Sequence, residues 1–332
     1  MRCRSEAIRL AELLGVEPGE LDFLVELGDP VALRALSEQV TDVLYDSGSE
    51  RLQRVAAAAR LLPAALAASL AERAMGAVSC ALLAGTVDRS KAVDIARRLR
   101  PEFLAEVAVH LDPRRVGGLV AALPADRIRA AALALVDNGA HVTMGRLASS
   151  ITEEALHQVV AAMSDADLLL TAFVLEDRSR LDAIAASLAD ERIVSMVRVA
   201  HEDGLWLEGL SLIFHLGDQQ RGRLGDLSLR EDPGVVGALV EVAHEQRLWP
   251  TILPLVRVVS EEPRRTLATL EPFRRVTVID AVVDAAAEHD LWDAVAPLVP
   301  HLPARSRDRV AARVDALPSH AREGYHRAAG TT

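Results

Sequence analysis

Apolar residues recur along most of the chain with the spacing of amphipathic helices. In residues 231–246, EDPGVVGALVEVAHEQ, they lie three and four positions apart, which predicts an α-helix with one buried face. The predicted buried stripe consists of Val235, Leu239, Val242 and Ala243. Side chains that favour N-caps precede several such stretches, and the predicted caps include Thr152, Ser164 and Asp232. Gly204 stands where a helix is expected to end in the left-handed conformation.

The helical pattern repeats with a period of 43 residues in the C-terminal half. AHEDGLW at 200–206 returns as AHEQRLW at 243–249 and as AAEHDLW at 286–292. The same spacing separates three tryptophans and four arginines, namely Trp206, Trp249 and Trp292, and Arg178, Arg221, Arg264 and Arg307. A period of roughly 40–47 residues resembles HEAT-like helical repeats. We predict four copies between about Met163 and Leu317, each with three helical pieces.

One such copy leaves an apolar face that only a neighbouring copy can cover, so the pattern predicts a stacked α-solenoid. We expect the tryptophans to act as structural anchors, wedged at the corner where one copy meets the next. No linker rich in Gly, Ser or Pro divides the chain, so we expect a single array. Its predicted parts are an N-terminal helical cap region (1–100), a short-helix array (101–162), four 43-residue repeats (163–317), and the end of a capping helix with a tail (318–332).

Residues 111–135, LDPRRVGGLVAALPADRIRAAALAL, resemble the cytosolic N domain of MgtE-type magnesium transporters. The resemblance covers roughly residues 100–160, and the residues that carry it are Leu111, Pro113, Leu119, Leu123, Pro124 and Arg127. It implies a right-handed superhelix of short helices. Because the chain lacks the transporters' membrane segments and any dense carboxylate cluster, the resemblance implies neither ion transport nor metal-binding residues.

Composition narrows the class of protein further. A formal charge of −11 and a pI near 5.4 argue against nucleic-acid binding, which needs a basic surface. Two distant cysteines, Cys3 and Cys80, argue against a disulfide framework or a thiolate metal site. The most membrane-like stretch, residues 74–87, is shorter than a membrane span, and we expect a fully buried core helix there. A soluble, cytoplasmic protein is predicted, and the near-absence of lysine is typical of a GC-rich bacterial genome.

Few residues are candidates for chemistry. His201 and His244 recur beside acidic residues, but the copies are a full repeat apart, so we interpret both as helix-end histidines rather than metal ligands. The arginines Arg178, Arg221, Arg264 and Arg307 are candidate binding residues for the carboxylates or phosphates of an elongated partner. The alternative, which we favour, is that each arginine bonds carbonyls at a helix end or pairs with an acid of the adjacent copy.

No nucleophile elbow, zinc-binding helix motif or phosphate-binding loop occurs in the sequence, so we predict no catalytic residues, no cofactor and no enzyme activity. The sequence favours a protein-interaction scaffold or regulator, because solenoids offer long inner surfaces. The alternative is a carrier of an apolar small molecule such as a lipid, pigment or sterol. Small-residue helices such as AALAASLAERAMGAVSCALLAG, around Cys80, could line the required cavity. A protein partner is expected, and homo-oligomers remain open.

Overall fold

The computed structural model describes residues 6–7, 10–11, 14, 16–26, 28–47 and 49–330 of the chain. Within these residues the regular secondary structure is helical throughout and no strand occurs, which confirms the predicted all-α class. The chain forms two compact units, Met1–Arg178 and Ser179–Thr332. The predicted boundaries after residues 100 and 162 both fall inside the first unit, and Cys3 lies outside the described residues.

Short α-helices joined by tight turns make up the first unit. They are α1 (Asp22–Glu26), α2 (Pro30–Ser47), α3 (Ser49–Leu61), α4 (Ala64–Leu70), α5 (Ala77–Ala84), α6 (Arg89–Ala96), α7 (Pro101–Val109), α8 (Pro113–Val120), α9 (Ala125–Asp137), α10 (His141–Leu147), α11 (Glu153–Ala162) and α12 (Asp165–Phe173). Single turns of 3₁₀-helix lie at Pro18–Leu21 and Ala148–Ser150, and a π-helical turn at Ala71–Met75. Helix α9 packs against both α7 and α11 in the core of this unit.

Polar caps determine where several of these helices begin. The side chains of Thr152 and Ser164 each accept a hydrogen bond from the main-chain N–H three residues further on, at 3.3 and 3.2 Å. Both predicted caps are therefore confirmed, because each satisfies a donor that the first helical turn leaves unpaired.

The apolar run 74–87 does not form the continuous buried helix that we predicted. Gly76, at φ +75°, separates the π-helical turn from α5, and Val78 on α5 is exposed. A glycine in this backbone conformation ends a helix at little steric cost, so the run is split. No helix in the described part of the chain is both long and apolar enough to cross a bilayer.

An ion cluster fixes one side of α2 against α8. Arg114 and Arg115 on α8 both reach Asp42 on α2, with N–O distances of 3.2 and 2.9 Å, and Arg114 also pairs with the buried Asp112 at 2.8 Å. The hydrogen bond from Arg115 holds the pKa of the Asp42 carboxyl below its ordinary value, against a smaller opposing effect of burial. The side of α2 that carries Asp42 therefore faces α8.

The second unit continues with helices of the same kind. They are α13 (Leu181–Ser187), α14 (Asp190–Glu202), α15 (Trp206–Ile213), α16 (Asp218–Glu231), α17 (Pro233–Glu245), α18 (Trp249–Ile252), α19 (Glu261–Thr269), α20 (Val276–His289), α21 (Trp292–Val295), α22 (Ala304–Asp315) and α23 (Ser319–Ala328). Turns of 3₁₀-helix lie at Leu253–Arg257, Glu271–Arg274 and Val299–His301, and another at Arg178–Arg180 marks the boundary between the units. The segment predicted to hold a helix end and a tail forms α23.

Backbone geometry recurs with the 43-residue spacing in this unit. A buried tryptophan begins each of α15, α18 and α21, and the residue two positions before each tryptophan has a positive φ. These residues are Gly204 at +69°, Arg247 at +55° and Asp290 at +51°. The left-handed end predicted for Gly204 is confirmed, and two side-chain-bearing residues adopt it at the corresponding positions despite its steric cost.

The buried side of α17 differs in part from the predicted stripe. Val235 and Ala243 are buried as predicted, whereas Leu239 and Val242 are only half-buried. Val236 and Val240 are buried in their place, so the buried face is turned from the one we predicted. Periodicity fixes the spacing of a stripe, but a helix with apolar residues on neighbouring faces leaves its orientation to its packing partners. The predicted cap of this helix is confirmed, since the Asp232 carboxylate accepts a hydrogen bond from the main-chain N–H three residues on at 3.2 Å.

Candidate functional site

The four repeat-phased arginines each donate a hydrogen bond to a main-chain carbonyl near the end of the preceding helical segment. The pairs are Arg178 with Phe173 O at 3.3 Å, Arg221 with Leu216 O at 2.8 Å, Arg264 with Val259 O at 2.6 Å, and Arg307 with Pro300 O at 3.2 Å. The acceptor lies five residues before the arginine in the first three pairs. Carbonyls at helix ends lack helical partners, so this contact gives the spacing a structural reason. A ligand-binding role for these arginines stays a prediction.

The two repeated histidines lie against the tryptophans that begin the following helices. The ring centroids of His201 and Trp206 are 5.9 Å apart, and those of His244 and Trp249 are 6.1 Å apart. The indole N–H of Trp249 donates to Nδ1 of His244 at 3.4 Å. Both histidines lie in the last turn of their helices, so the geometry agrees with a packing role at a helix end.

An apolar cavity of about 180 Å³ lies within the first unit, between helices α3 to α8. Its walls are aliphatic side chains and the sulfur atoms of Met75 and Cys80, so none of its lining residues is charged. Three lining residues, Val55 and Ala58 on α3 and Leu70 on α4, are exposed and mark its mouth.

Cys80 gives this cavity a neutral thiol. Burial raises the pKa of Cys80 to about 11, so the thiolate is scarce near neutral pH. Its sulfur lies 3.9 Å from the carbonyl oxygen of Ala71, a weak contact that leaves the wall apolar. The cavity therefore suits an uncharged apolar molecule held without a covalent bond.

Helix α2 buries hydroxyl residues and exposes apolar residues, the reverse of an ordinary surface helix. Ser37 and Thr41 face inward with 0% and 5% exposure, and their hydroxyls donate to main-chain carbonyls four residues earlier, at 3.1 and 2.8 Å. Leu36 and Val43 instead face outward with 40% and 65% exposure. The outward face of α2 consists of Ala32, Ala35, Leu36, Gln39 and Val43, at spacings suited to packing another helix.

Exposed apolar residues are concentrated in this part of the chain. Among the described residues, most of the exposed large apolar side chains lie between positions 14 and 78. Residues 16–43 also hold seven acidic residues and one arginine, and the exposed acids Glu17, Glu20, Asp22 and Glu26 directly precede α2. The outward face of α2 thus adjoins a strongly acidic segment of the chain. Exposed apolar side chains grouped in this way often mark a binding site.

Sequence reasoning did not find the outward face of α2. Apolar residues lie on two sides of this helix, with Leu33 buried on one and Leu36 and Val43 exposed on the other. The signal that could have revealed it is the pair Ser37 and Thr41, which stand where the buried face of an ordinary amphipathic helix carries apolar residues.

In the part of the chain that the structure describes, no group of three or more His, Cys, Asp or Glu side chains is placed to hold a metal ion. Fold and cavity together define an all-helical protein with an apolar cavity that opens to the surface and an apolar outer face on α2. The comparisons with known proteins found no matching family model, no similar curated protein and no similar solved structure.

Proposed function

We propose that this chain is a non-catalytic helical-repeat protein that acts by binding another protein. In this proposal the second unit is a right-handed superhelical stack of 43-residue, three-helix copies. The recurrence of a buried tryptophan and a positive φ at that spacing supports the repeat. The outward face of α2 supports the binding role, because it leaves apolar side chains in water while hydroxyl groups are buried behind it.

The occupant that fits this face is a basic amphipathic helix of a partner protein. The spacing of the exposed residues on α2 suits a second helix packed alongside. The acidic residues that precede α2 attract lysine and arginine side chains flanking the partner's apolar stripe. The same charges oppose binding to an anionic membrane surface, which attracts basic segments.

A designed 18-residue peptide tests this proposal. The peptide carries leucine at helical spacing with lysine on both flanks, and its matched counterpart carries glutamate in place of lysine. We expect isothermal titration calorimetry to show saturable binding of the lysine peptide, weakened by salt, and much weaker binding of the glutamate peptide. Binding of both peptides alike, or of neither, would contradict the proposal.

Substitutions on α2 locate the binding face. The double change Leu36→Gln and Val43→Gln removes apolar area worth about 2 kcal/mol, given the exposed fractions of these side chains, which is roughly a thirtyfold loss of affinity. Leu61→Gln is the matched control, because Leu61 lies on α3 and is even more exposed. The control should bind as the unsubstituted chain does. If the unsubstituted chain instead forms a dimer that the double change abolishes, the occupant is a second copy and the basic partner is refuted.

The cavity around Cys80 supports a second candidate function, that of a carrier of an apolar small molecule. Native mass spectrometry of the protein purified from its own cells tests it, and we expect an added mass that organic solvent removes. Ala67→Leu, which projects a larger side chain into the cavity, should abolish that mass without affecting peptide binding. Protein that carries no such mass would refute this second role.

A further inference from the structure

A second apolar cavity, of about 130 Å³, lies within the second unit. Its walls come from successive 43-residue copies, because Trp206, which begins one copy, and Trp249, which begins the next, both line it. Phe273 completes an aromatic wall, with its ring centroid 6.3 Å from that of Trp249 and the two planes tilted by 54°.

The two cavities differ in chemistry. The chain has only ten aromatic Trp, Tyr and Phe residues, and three of them line this cavity, whereas the lining of the cavity near Cys80 has none. Aromatic rings favour offset or edge-to-face contact with another ring, beyond what apolar burial alone provides. The walls of the second cavity therefore offer ring contacts that the walls of the first do not.

Three of the polar side chains at this cavity bond to the protein itself. Arg221 is the one charged residue in its lining, and its Nε donates to the carbonyl of Leu216 at 2.8 Å. Ser228 donates its hydroxyl to the carbonyl of Leu224 at 2.7 Å, and the indole N–H of Trp249 donates to His244. These three groups are therefore already engaged, and most of the remaining wall is apolar, so a charged ligand would lose its hydration with little compensation.

We propose that this cavity is a binding site for an uncharged, single-ring aromatic molecule. The size agrees, since an apolar cavity of roughly 150 Å³ is known to hold benzene. The site is independent of the binding face on α2 and of the cavity near Cys80, because its lining residues all lie in the second unit.

Fluorobenzene, followed by ¹⁹F NMR and by tryptophan emission, tests this site. The three tryptophans all lie in the second unit and two line the cavity, so their emission reports on this site. We expect saturable broadening of the fluorine signal with a parallel change in emission, and about fivefold weaker binding of fluorocyclohexane. An absence of saturable binding, or equal affinity for the two probes, would overturn the proposal.

Two variants test whether a loss of binding comes from filling the cavity rather than from loss of the folded structure. Ser228→Met places a longer side chain into the cavity, so we expect binding to be lost while the melting temperature is maintained. Leu239→Phe fills the same cavity and serves if the first variant fails to fold. Fluorobenzene binding that survives filling by a folded variant would overturn the proposal.

A matched pair of phenylalanine changes tests the aromatic wall. Phe273 and Phe103 are both buried, but only Phe273 lines the cavity. Phe273→Leu should remove the fivefold preference for fluorobenzene, and Phe103→Leu should retain it. Ala67→Leu, which narrows the cavity of the first unit, should leave fluorobenzene binding and the emission change intact, so failure of the carrier role and failure of this site are distinguishable. Loss of preference in both phenylalanine variants would overturn the aromatic assignment.

Discussion

A larger side chain placed in the cavity near Cys80 should raise the stability of the protein if the space is empty, and lower it if the space is filled. Ala67 lies on α4 and lines this cavity, so Ala67→Leu adds three carbon atoms that point into it. Benzene, with six carbons, fits a cavity slightly smaller than this one, so the added atoms have room.

The magnitude follows from the area that the added atoms withdraw from water. At about 0.8 kcal/mol per carbon group, Ala67→Leu should stabilise the first unit by up to about 2 kcal/mol. For a unit of this size, 1 kcal/mol shifts the melting temperature by roughly 2–4 °C, so we expect a rise of about 5 °C.

Ala105→Leu is the matched control. Ala105 is fully buried in α7 and does not line the cavity, so the same three carbons have no space there. Overpacking of this kind costs about 1–3 kcal/mol, and the melting temperature should fall. Differential scanning calorimetry of both variants measures the two shifts. Equal destabilisation by the two substitutions would refute the cavity.

Three further outcomes follow from local contacts. Arg309→Gln should lower stability near neutral pH only slightly, because its ion pair with Asp280 is partly exposed to solvent. The hydrogen bond from Arg309 lowers the pKa of Asp280, so the stability that this ion pair contributes is complete above the carboxyl's ordinary pKa of 3.8. It is lost as the pH falls through the lowered pKa. At that pH, urea unfolding should no longer distinguish the variant from the unsubstituted chain. In a variant that lacks the other cysteine, Cys80 should react with a thiol reagent about a hundredfold more slowly than an ordinary thiol, because its pKa is raised to about 11. Unfolding the protein should restore the ordinary rate. If Cys80 in the folded protein reacts as fast as an ordinary thiol, its raised pKa is contradicted. Gly324→Ala should destabilise α23 by about 1–3 kcal/mol and shift tryptophan emission to the red, because the added Cβ would lie 2.7 Å from Cδ1 of Trp292. Unchanged emission and stability would show that α23 does not pack closely against this ring.

The sequence predicted the local structure well where short-range chemistry decides it. The caps at Thr152, Ser164 and Asp232 depend on a side chain and an N–H three residues away, so residue type and spacing suffice. The positive φ at Gly204 follows from the same local reasoning, whereas Arg247 adopts it without any signal in its residue type.

The sequence alone thus determined the helical class, many helix starts and the 43-residue spacing, because each depends on contacts within a few turns or on the repetition itself. Only the tertiary structure decided which face of α2 turns inward and where apolar residues fail to fill space. Burial and cavity volume are properties of several helices packed together. A stripe such as that of Leu36 and Val43 fits equally well inside or outside until its neighbours are in place.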